Sequence, residues 1–210
     1  MELIEAIRKE LELIHSELEK IKEFTNIEIY EYNSLNEAQI GYSIDSNGNS
    51  LVEPEEGSWD SNWVVFGYET RCGDPIVMDL GDKGFPVFSL MHGMGSWEGG
   101  TTLADSINLF YKTILTVSLF IKEKNLFECK KLTNKELKLL ENDLLLHISN
   151  YDLEVWQSML SPLYNIAKDY DKELIEEIKK LKSNGVKIAD IAKELTIPVK
   201  DVYKYFEELK

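Results

Sequence analysis

Apolar residues in the first 24 positions recur three and four places apart, which is the spacing of one face of an α-helix. They are Ile4, Ile7, Leu11, Ile14, Leu18 and Ile21, with glutamate and lysine around them. The repeat covers fewer heptads than a coiled coil needs. We therefore expect this helix to pack on the protein's own sheet, while pairing with a second copy of the chain stays open.

Alternation of apolar and polar residues replaces this pattern after position 26 and predicts short strands. The alternating segments lie near residues 27–31, 40–44, 64–68 and 76–79, with a further apolar run after Gly84. In the third of them, Val64, Phe66 and Tyr68 are expected on one face of the sheet and Val65 on the other.

Turn signals between these segments predict how the strands pair. The four residues from Gly81 to Gly84 suit a hairpin loop, and Asn47 with Gly48 gives a tight-turn signal. Pro86 lacks an amide hydrogen, which places it at the start of a strand or at a sheet edge. Because no helix alternates with the strands, we expect an antiparallel sheet.

A long amphipathic helix is predicted directly after the strands. Thr102 with Asp105 three positions later resembles a capping arrangement for a helix from about Leu103 to Lys124. Its apolar face would cover the sheet. The layers then form an α+β fold, with an antiparallel-rich sheet covered by helices.

The chain from Thr133 onward has only helical signals. Thr133 with Glu136 is a capping box that opens one helix. Ser161 followed by Pro162 has the form of an N-cap and a first-turn proline for the next. These signals predict an all-helical C-terminal extension.

The last 40 residues have the pattern of three short helices around a small core. Gly185 follows the first helix, a second runs from Ile188 to Leu195, and a third begins near Pro198. The apolar positions expected to form the core are Ile175, Ile178, Leu181, Ile188, Ile191, Ala192, Leu195, Val199, Val202 and Phe206.

These patterns divide the 210 residues into three parts. We predict an α+β domain over 1–125, a helical connector over 126–170 and a trihelical unit over 171–210. The charged start has no signal-peptide pattern, and the apolar runs are too short for a bilayer span. Cys72 and Cys129 lack disulfide or metal spacing, so we expect reduced thiols in a cytoplasmic protein.

The net charge of −15 is concentrated in the middle of the chain. Residues 25–100 hold thirteen acidic and two basic side chains, whereas residues 171–210 are neutral. Such a segment repels nucleic acid and attracts a basic partner. The alternative is that the acidic surface has no partner and only keeps the protein in solution.

The residues from about 38 to 120 resemble the SUKH superfamily, which contains the fungal cell-wall-assembly regulator and many bacterial relatives. The matching pieces are YSIDSNGNSL, the Trp63 strand ending in Gly67 and Tyr68, CGDPIVMDL, FPVFSLMHGMGSWEG and LADSINLF. The resemblance implies a mixed sheet with helices before and after it, and no catalytic set. It also implies a binding role, since many bacterial members look like immunity proteins that neutralise a toxin, often a nuclease.

The tail resembles the helix-turn-helix of recombinases and sigma-like regulators through GVKIADIAKEL and PVKDVYKYF. Where such tails bind DNA, the last helix contacts base edges and basic groups contact phosphates. The candidate residues here are Lys200, Tyr203 and Lys204. Asp201 lies among them, and the tail has no net positive charge, so a unit that only contacts protein is equally consistent with the sequence.

Candidate catalytic residues are few. Asp74, Asp79, His92 and Glu98 could form an acid/base set or bind a metal ion, but their spacing matches no known ligand pattern. The glycine-rich segment that follows His92 has neither dinucleotide-binding nor phosphate-loop spacing. We therefore expect a protein that is not an enzyme and needs no cofactor or metal.

The leading hypothesis is a protein that binds a basic toxin domain through acidic and aromatic loop residues. The candidate contacts are Glu53, Glu55, Glu56, Trp59, Asp60, Asp82, Trp97 and Glu98. Trp59 either caps the sheet edge or contacts the partner, and Trp97 is either a core residue or a binding anchor. The alternative hypothesis is a DNA-binding regulator that acts through the tail.

Overall fold

The computed structural model describes residues 7–93, 96–97, 100–147 and 153–207. Its helices are α1 Arg8–Ile21, α2 Leu35–Ala38, α3 Ile107–Glu123, α4 Asn134–Leu144, α5 Leu153–Met159, α6 Ser161–Ser183, α7 Ile188–Glu194 and α8 Val199–Glu207. Its strands are β1 Ile27–Ile29, β2 Trp63–Glu69, β3 Pro75–Asp79, β4 Val87–Ser89 and β5 Thr101–Ala104. Among these residues, no helix combines the length and the apolar character that crossing a bilayer requires.

The strands form one sheet in the order β1-β2-β3-β4-β5. Every pairing is antiparallel, which confirms the predicted α+β class with an antiparallel sheet. The predicted hairpin joins β3 to β4 and places Met78 opposite Val87. Pro86 stands just before β4 as expected, and its carbonyl oxygen accepts the amide of Asp79 at 3.0 Å.

Two of the predicted elements are wrong. The segment near 40–44 makes only isolated bridges, because the carboxylate of Asp45 accepts the amides of Asn47 and Asn49, each at 2.8 Å, and folds the chain into a local turn. Leu103 and Ala104, predicted as the start of a helix capped by Thr102, instead end the fifth strand, Thr101–Ala104.

Helix α3 begins later than predicted because its cap is Ser106 rather than Thr102. The hydroxyl oxygen of Ser106 accepts the amide of Leu109 at 3.1 Å. Leu103 is fully buried on β5. Thr101 and Thr102 are β-branched and therefore favour a strand. The chain continues as a strand to Ala104, and the helix begins only after its cap at Ser106.

A bulge in β2 changes which side chains share a face. The register of β2 against β3 shifts between Val65 and Gly67. Beyond the bulge, Tyr68 lies opposite Glu28 and its ring is 5.5 Å from that of Tyr30. The prediction that Tyr68 shares a face with Phe66 is therefore wrong, since Phe66 packs in the core on the helical side.

The sheet buries apolar side chains on both faces. On one face α1 and α3 pack over β1, β2, β3 and β5 and form the main core. Leu11, Ile14, Leu18 and Ile21 of α1 are at most 3% exposed in this core. This confirms that the described part of the N-terminal apolar face packs within the chain, whereas Ile4 lies outside the described residues.

The helical extension shares one core with the sheet domain. The capping box of α4 forms as predicted, with Thr133 and Glu136 as partners. Pro162 lies in the first turn of α6, but the N-cap is Leu160, and the hydroxyl oxygen of Ser161 accepts a hydrogen bond from Asn26 at 2.8 Å. Residues from α4, α5 and the first half of α6 all belong to the main core.

The last three helices pack around a separate small core, as predicted. Its buried members are Leu174, Ile178, Leu181, Ile191, Ala192, Val202, Tyr205 and Phe206. Helix α6 is continuous through the predicted boundary at 171, so its first half packs in the main core and its second half in the tail core. Val199, expected in this core, is 45% exposed because it begins α8 on the outer side.

Candidate functional site

The face of the sheet opposite the main core is covered by a cluster of aromatic side chains. Trp59 lies at its centre and is 2% exposed, with ring centroids of Tyr42, Trp63 and Trp97 between 5.1 and 5.6 Å away. The indole N–H of Trp59 donates to the carbonyl oxygen of Trp63 at 3.2 Å. Edge-on packing of this kind is favourable for aromatic rings, so the cluster acts as a second core.

The acidic loop before β2, residues 51–62, folds over this cluster through its own polar groups. The carboxylate of Asp60 accepts the amide of Asn62 at 2.7 Å, and the amide of Trp63 donates to the carbonyl of Asp60 at 3.1 Å. The amide of Trp97 donates to the carbonyl of Gly57 at 2.8 Å. Gly57 has φ = 84°, which a residue with a side chain rarely adopts. These bonds hold the loop against Trp97.

An open groove of about 560 Å³ runs between this loop and the aromatic cluster. Of the predicted partner-binding residues, the groove brings together Glu53, Glu55, Trp59, Asp60 and Trp97. The three acidic side chains are exposed, and the structure gives them no ion pair within the described residues. Trp59 is buried and supports the floor from below, which leaves it little surface for contact.

The other predicted contact residues lie outside this groove. Glu56 is exposed on the same loop but does not line the groove. Asp82 is exposed in the loop between β3 and β4. Glu98 lies outside the described residues, so its position relative to the groove stays a prediction.

Of the four residues weighed as a catalytic set, Asp74 and His92 meet, Asp79 lies at the other end of β3, and Glu98 lies outside the described residues. Asp74 and Asp79 flank opposite ends of β3. Asp79 accepts the amide of Gly81 at 2.7 Å and thus stabilises a turn, whereas Asp74 lies 2.8 Å from Nδ1 of His92. The described residues contain no group of three histidine, cysteine or acidic side chains able to hold a metal ion.

A buried carboxylate at the far end of β2 has no counterpart in the sequence analysis. Glu69 is 5% exposed, and its Oε2 atom accepts both the amide and the thiol of Cys72, at 2.9 and 2.8 Å. Partial burial, together with hydrogen bonding to Glu69 and Asp74, raises the pKa of Cys72 to about 12. Cys72 is therefore a neutral thiol donor at physiological pH. The sequence signal was weak, because a glutamate at the end of a strand is usually exposed.

The tail presents one polar face of α8 to solvent. Lys200, Tyr203 and Lys204 are exposed, and Tyr203 is 56% exposed. Val202 and Phe206 point into the tail core. The sequence-predicted nucleic-acid residues thus share one accessible face, as their spacing of three and four predicts.

Contacts with α4 and α6 hold one flank of α8, beside the exposed face. Lys135 of α4 pairs with the carboxylate of Asp201 at 2.9 Å. The hydroxyl of Tyr205 donates to Asp171 at 2.7 Å, and the side chain of Asn134 donates to the same carboxylate. Two of the acidic side chains of the tail, Asp171 and Asp201, are therefore engaged with neighbouring groups.

Comparison with known proteins gives one match. A family model described as "Helix-turn-helix domain of resolvase" matches residues 168–209. Neither a curated protein nor a solved structure matches the chain. The matched range contains the second half of α6, all of α7 and α8, and the whole tail core. The predicted helix-turn-helix is confirmed, whereas the SUKH resemblance of the sheet domain stays a prediction.

Proposed function

We propose that this chain is a non-enzymatic binding protein that receives a basic segment of a protein partner in the groove between the acidic loop and the aromatic cluster. The observation that carries the proposal is the meeting of Glu53, Glu55 and Asp60 around a floor of tryptophan side chains. Among the described lining residues there is no lysine or arginine. A cationic, partly apolar segment is the chemistry that complements such a surface.

Charge and ring surface contribute in different ways to this interaction. The exposed carboxylates attract a basic partner from a distance and raise its rate of encounter. Trp63 and Trp97 are partly buried, so their rings are already ordered and offer contact area at little entropic cost. Arginine fits both components, because its guanidinium pairs with carboxylates and stacks on aromatic faces.

The resemblance of residues 38–120 to the SUKH superfamily supports a more specific form of the proposal. Many bacterial members of that superfamily look like immunity proteins. In this form, the partner is the basic, nucleic-acid-binding surface of a nuclease toxin. Stoichiometric binding of the acidic face would occlude that surface, and the chain would perform no reaction.

Charge reversal in the groove tests this proposal. The triple variant Glu53→Lys, Glu55→Lys and Asp60→Lys should bind purified basic nuclease toxin domains at least tenfold more weakly in 50 mM salt. The difference should shrink in 500 mM salt, because exposed charges are then screened. Isothermal titration calorimetry measures both affinities.

A triple variant with the same change in net charge is the control. Asp169, Glu173 and Glu176 are exposed on α6, away from the groove. Reversing these three to lysine should change the affinity less than threefold. Equal weakening by both variants would mean that overall charge attracts the partner, and an unchanged affinity in the groove variant would contradict the proposal.

The helix-turn-helix match favours a second candidate function, binding of duplex DNA by the tail. In this proposal α8 enters the major groove with Tyr203 near the bases and Lys200 and Lys204 near phosphates. The pairing of Asp201 with Lys135 supports it, because it offsets a negative charge beside that face. The acidic middle of the chain opposes it.

A gel-shift titration of the full chain with duplex DNA of random sequence tests the second candidate. The variant Lys200→Glu, Lys204→Glu should bind about tenfold more weakly at 50 mM salt than the original chain. The slope of log affinity against log salt concentration should become shallower by about two, because about two phosphate contacts are lost. The variant Lys168→Glu, Lys172→Glu, at exposed positions of α6, is the matched control. Absence of any shift at 50 mM salt would exclude DNA binding by the tail.

A further inference from the structure

Glu69 is placed where a carboxylate is costly. It is the last residue of β2 and faces the main core opposite Ile27. One of its oxygen atoms is hydrogen-bonded to Cys72, whereas Oε1 is buried and has no hydrogen-bond partner among the described residues. A buried acceptor without a donor costs about 1–3 kcal/mol, and more when it is charged. Natural structures rarely keep such an atom without a use for it.

Glu69 lines a cavity of about 260 Å³ between the end of the sheet and α5. The polar side chains around it are Glu69, Cys72, Asp74, Ser89, Thr101, Glu154 and Ser158. They come from the end of β2 and the turn after it, the end of β4, the start of β5 and the exposed side of α5. Tertiary packing therefore brings three carboxylates to one small space.

The electrostatics of this cavity favour a cation. Burial would raise the pKa of Asp74, but hydrogen bonds from Cys72 and from the backbone and ring of His92 lower it below its ordinary value. Asp74 is therefore ionised at neutral pH. Cys72 stays protonated and adds no positive charge. Among the described residues that line the cavity there is no lysine or arginine.

We propose that this cavity binds a compact cation with N–H donors, a guanidinium or primary ammonium group, with the carboxylate of Glu69 as its innermost acceptor. A small rotation of the Glu69 side chain would turn its orphan oxygen toward the cation and satisfy it with a charge-assisted hydrogen bond, and the carboxylates of Asp74 and Glu154 would balance the charge at the mouth. A metal ion is disfavoured, since the described side chains include no three-ligand cluster. The cation is either a free polyamine or the side chain of an arginine or lysine in another protein.

This site does not depend on the proposed function. The acidic groove adjoins Trp63 at the start of β2, whereas Glu69 ends the same strand. The two ends are roughly 20 Å apart at the rise of an extended strand. Loss of binding in one place therefore leaves the other testable.

Titration of the ¹⁵N-labelled full chain with small cations, followed by NMR, tests the site. Methylguanidinium and n-butylammonium should give saturable shifts at the amides of Cys72, Thr101 and Ser158. Tetramethylammonium has the same charge but no N–H donor, and it should bind at least tenfold more weakly. Equal binding of all three cations, or no saturable shift with any of them, would overturn the proposal.

Two variants locate the acceptor. Glu69→Gln should weaken methylguanidinium binding at least tenfold, and Glu154→Gln, at an exposed position, about threefold. Glu176→Gln, at an exposed position of α6 away from both sites, should leave the affinity unchanged. If Glu69→Gln does not fold, the original chain still tests the proposal, because tetramethylammonium should bind more weakly than methylguanidinium. A Glu69→Gln protein that is folded and binds normally would contradict the assignment.

Two further titrations distinguish the source of the cation. Spermidine represents a free polyamine, and N-acetyl-arginine amide represents an arginine presented by a protein. Tenfold tighter binding of spermidine would indicate a small-molecule site. Tighter binding of the arginine derivative would indicate a docking site for a protein side chain. If neither spermidine nor N-acetyl-arginine amide binds, and the simple cations do not bind either, the proposal of a cation site is wrong.

Discussion

Replacing Trp59 by alanine is expected to lower the free energy of unfolding by about 3–5 kcal/mol. The side chain is 2% exposed and contacts three other aromatic rings, so the substitution would leave a large cavity at the centre of the second core. Neighbouring rings are held by the sheet and by the loop bonds, and they cannot collapse fully into the space. Urea denaturation followed by far-UV circular dichroism measures the change.

An exposed aromatic residue is the control for this substitution. Tyr203 is 56% exposed on α8, and Tyr203→Ala should change the stability by less than about 0.5 kcal/mol. A loss below about 1 kcal/mol for Trp59→Ala would mean that the aromatic cluster packs loosely. The groove would then have no rigid floor and would not be a preorganised binding surface.

Replacing Gly67 by alanine is expected to cost about 3 kcal/mol, the upper end of the usual penalty for overpacking. Gly67 follows the bulge in β2 and lies opposite both Ile29 of β1 and Ile76 of β3. A Cβ atom there would overlap the carbonyl oxygen of Glu28 and Cδ1 of Ile29. Because one of these atoms belongs to the backbone, β1 would have to move away from β2.

The matched control separates crowding from backbone strain. Gly48 has φ = 84° in an open turn, and a Cβ atom there would meet nothing within 4 Å. Gly48→Ala should therefore cost only about 1 kcal/mol, the cost of a left-handed alanine. Denaturation of both variants under the same conditions tests the comparison. Equal losses at the two positions would show that contact with β1 is not what requires glycine at 67.

The groove and the second core are one structure, and this links stability to binding. Trp97 packs on Trp59 from one side and lines the groove on the other. A ligand that binds only the folded chain also stabilises it. Any partner of the groove should therefore protect the aromatic cluster against unfolding, and the Trp59→Ala chain should lose affinity as well as stability.

Much of the fold was accessible from sequence because it rests on local signals. The period of the N-terminal helix, the hairpin from Gly81 to Gly84 and the capping box at Thr133 are each set by neighbouring residues. The three tail helices follow from Gly185 and the apolar spacing. The errors fell where local signals compete, as at Asp45, whose carboxylate organises a turn inside an alternating segment.

The candidate sites depended more on long-range contacts. Charge counting identified the acidic loop, and the helical spacing of Lys200, Tyr203 and Lys204 predicted their common face. No sequence pattern predicted that Glu69 would be buried near Asp74 and Glu154, because Glu154 comes from a helix in a distant part of the chain. The two-sided burial of the sheet was likewise hidden, since the loop that covers the second face is polar along most of its length.

By itself, the sequence determined the fold class, the order of the helices and the location of negative charge. These properties arise from the period of apolar positions and from residue type, which act over a few residues. Only the tertiary structure decided that Trp59 is buried, that the acidic loop encloses a groove and that Glu69 keeps an unpaired oxygen. Those outcomes depend on which distant surfaces exclude water from one another, and no local pattern encodes that.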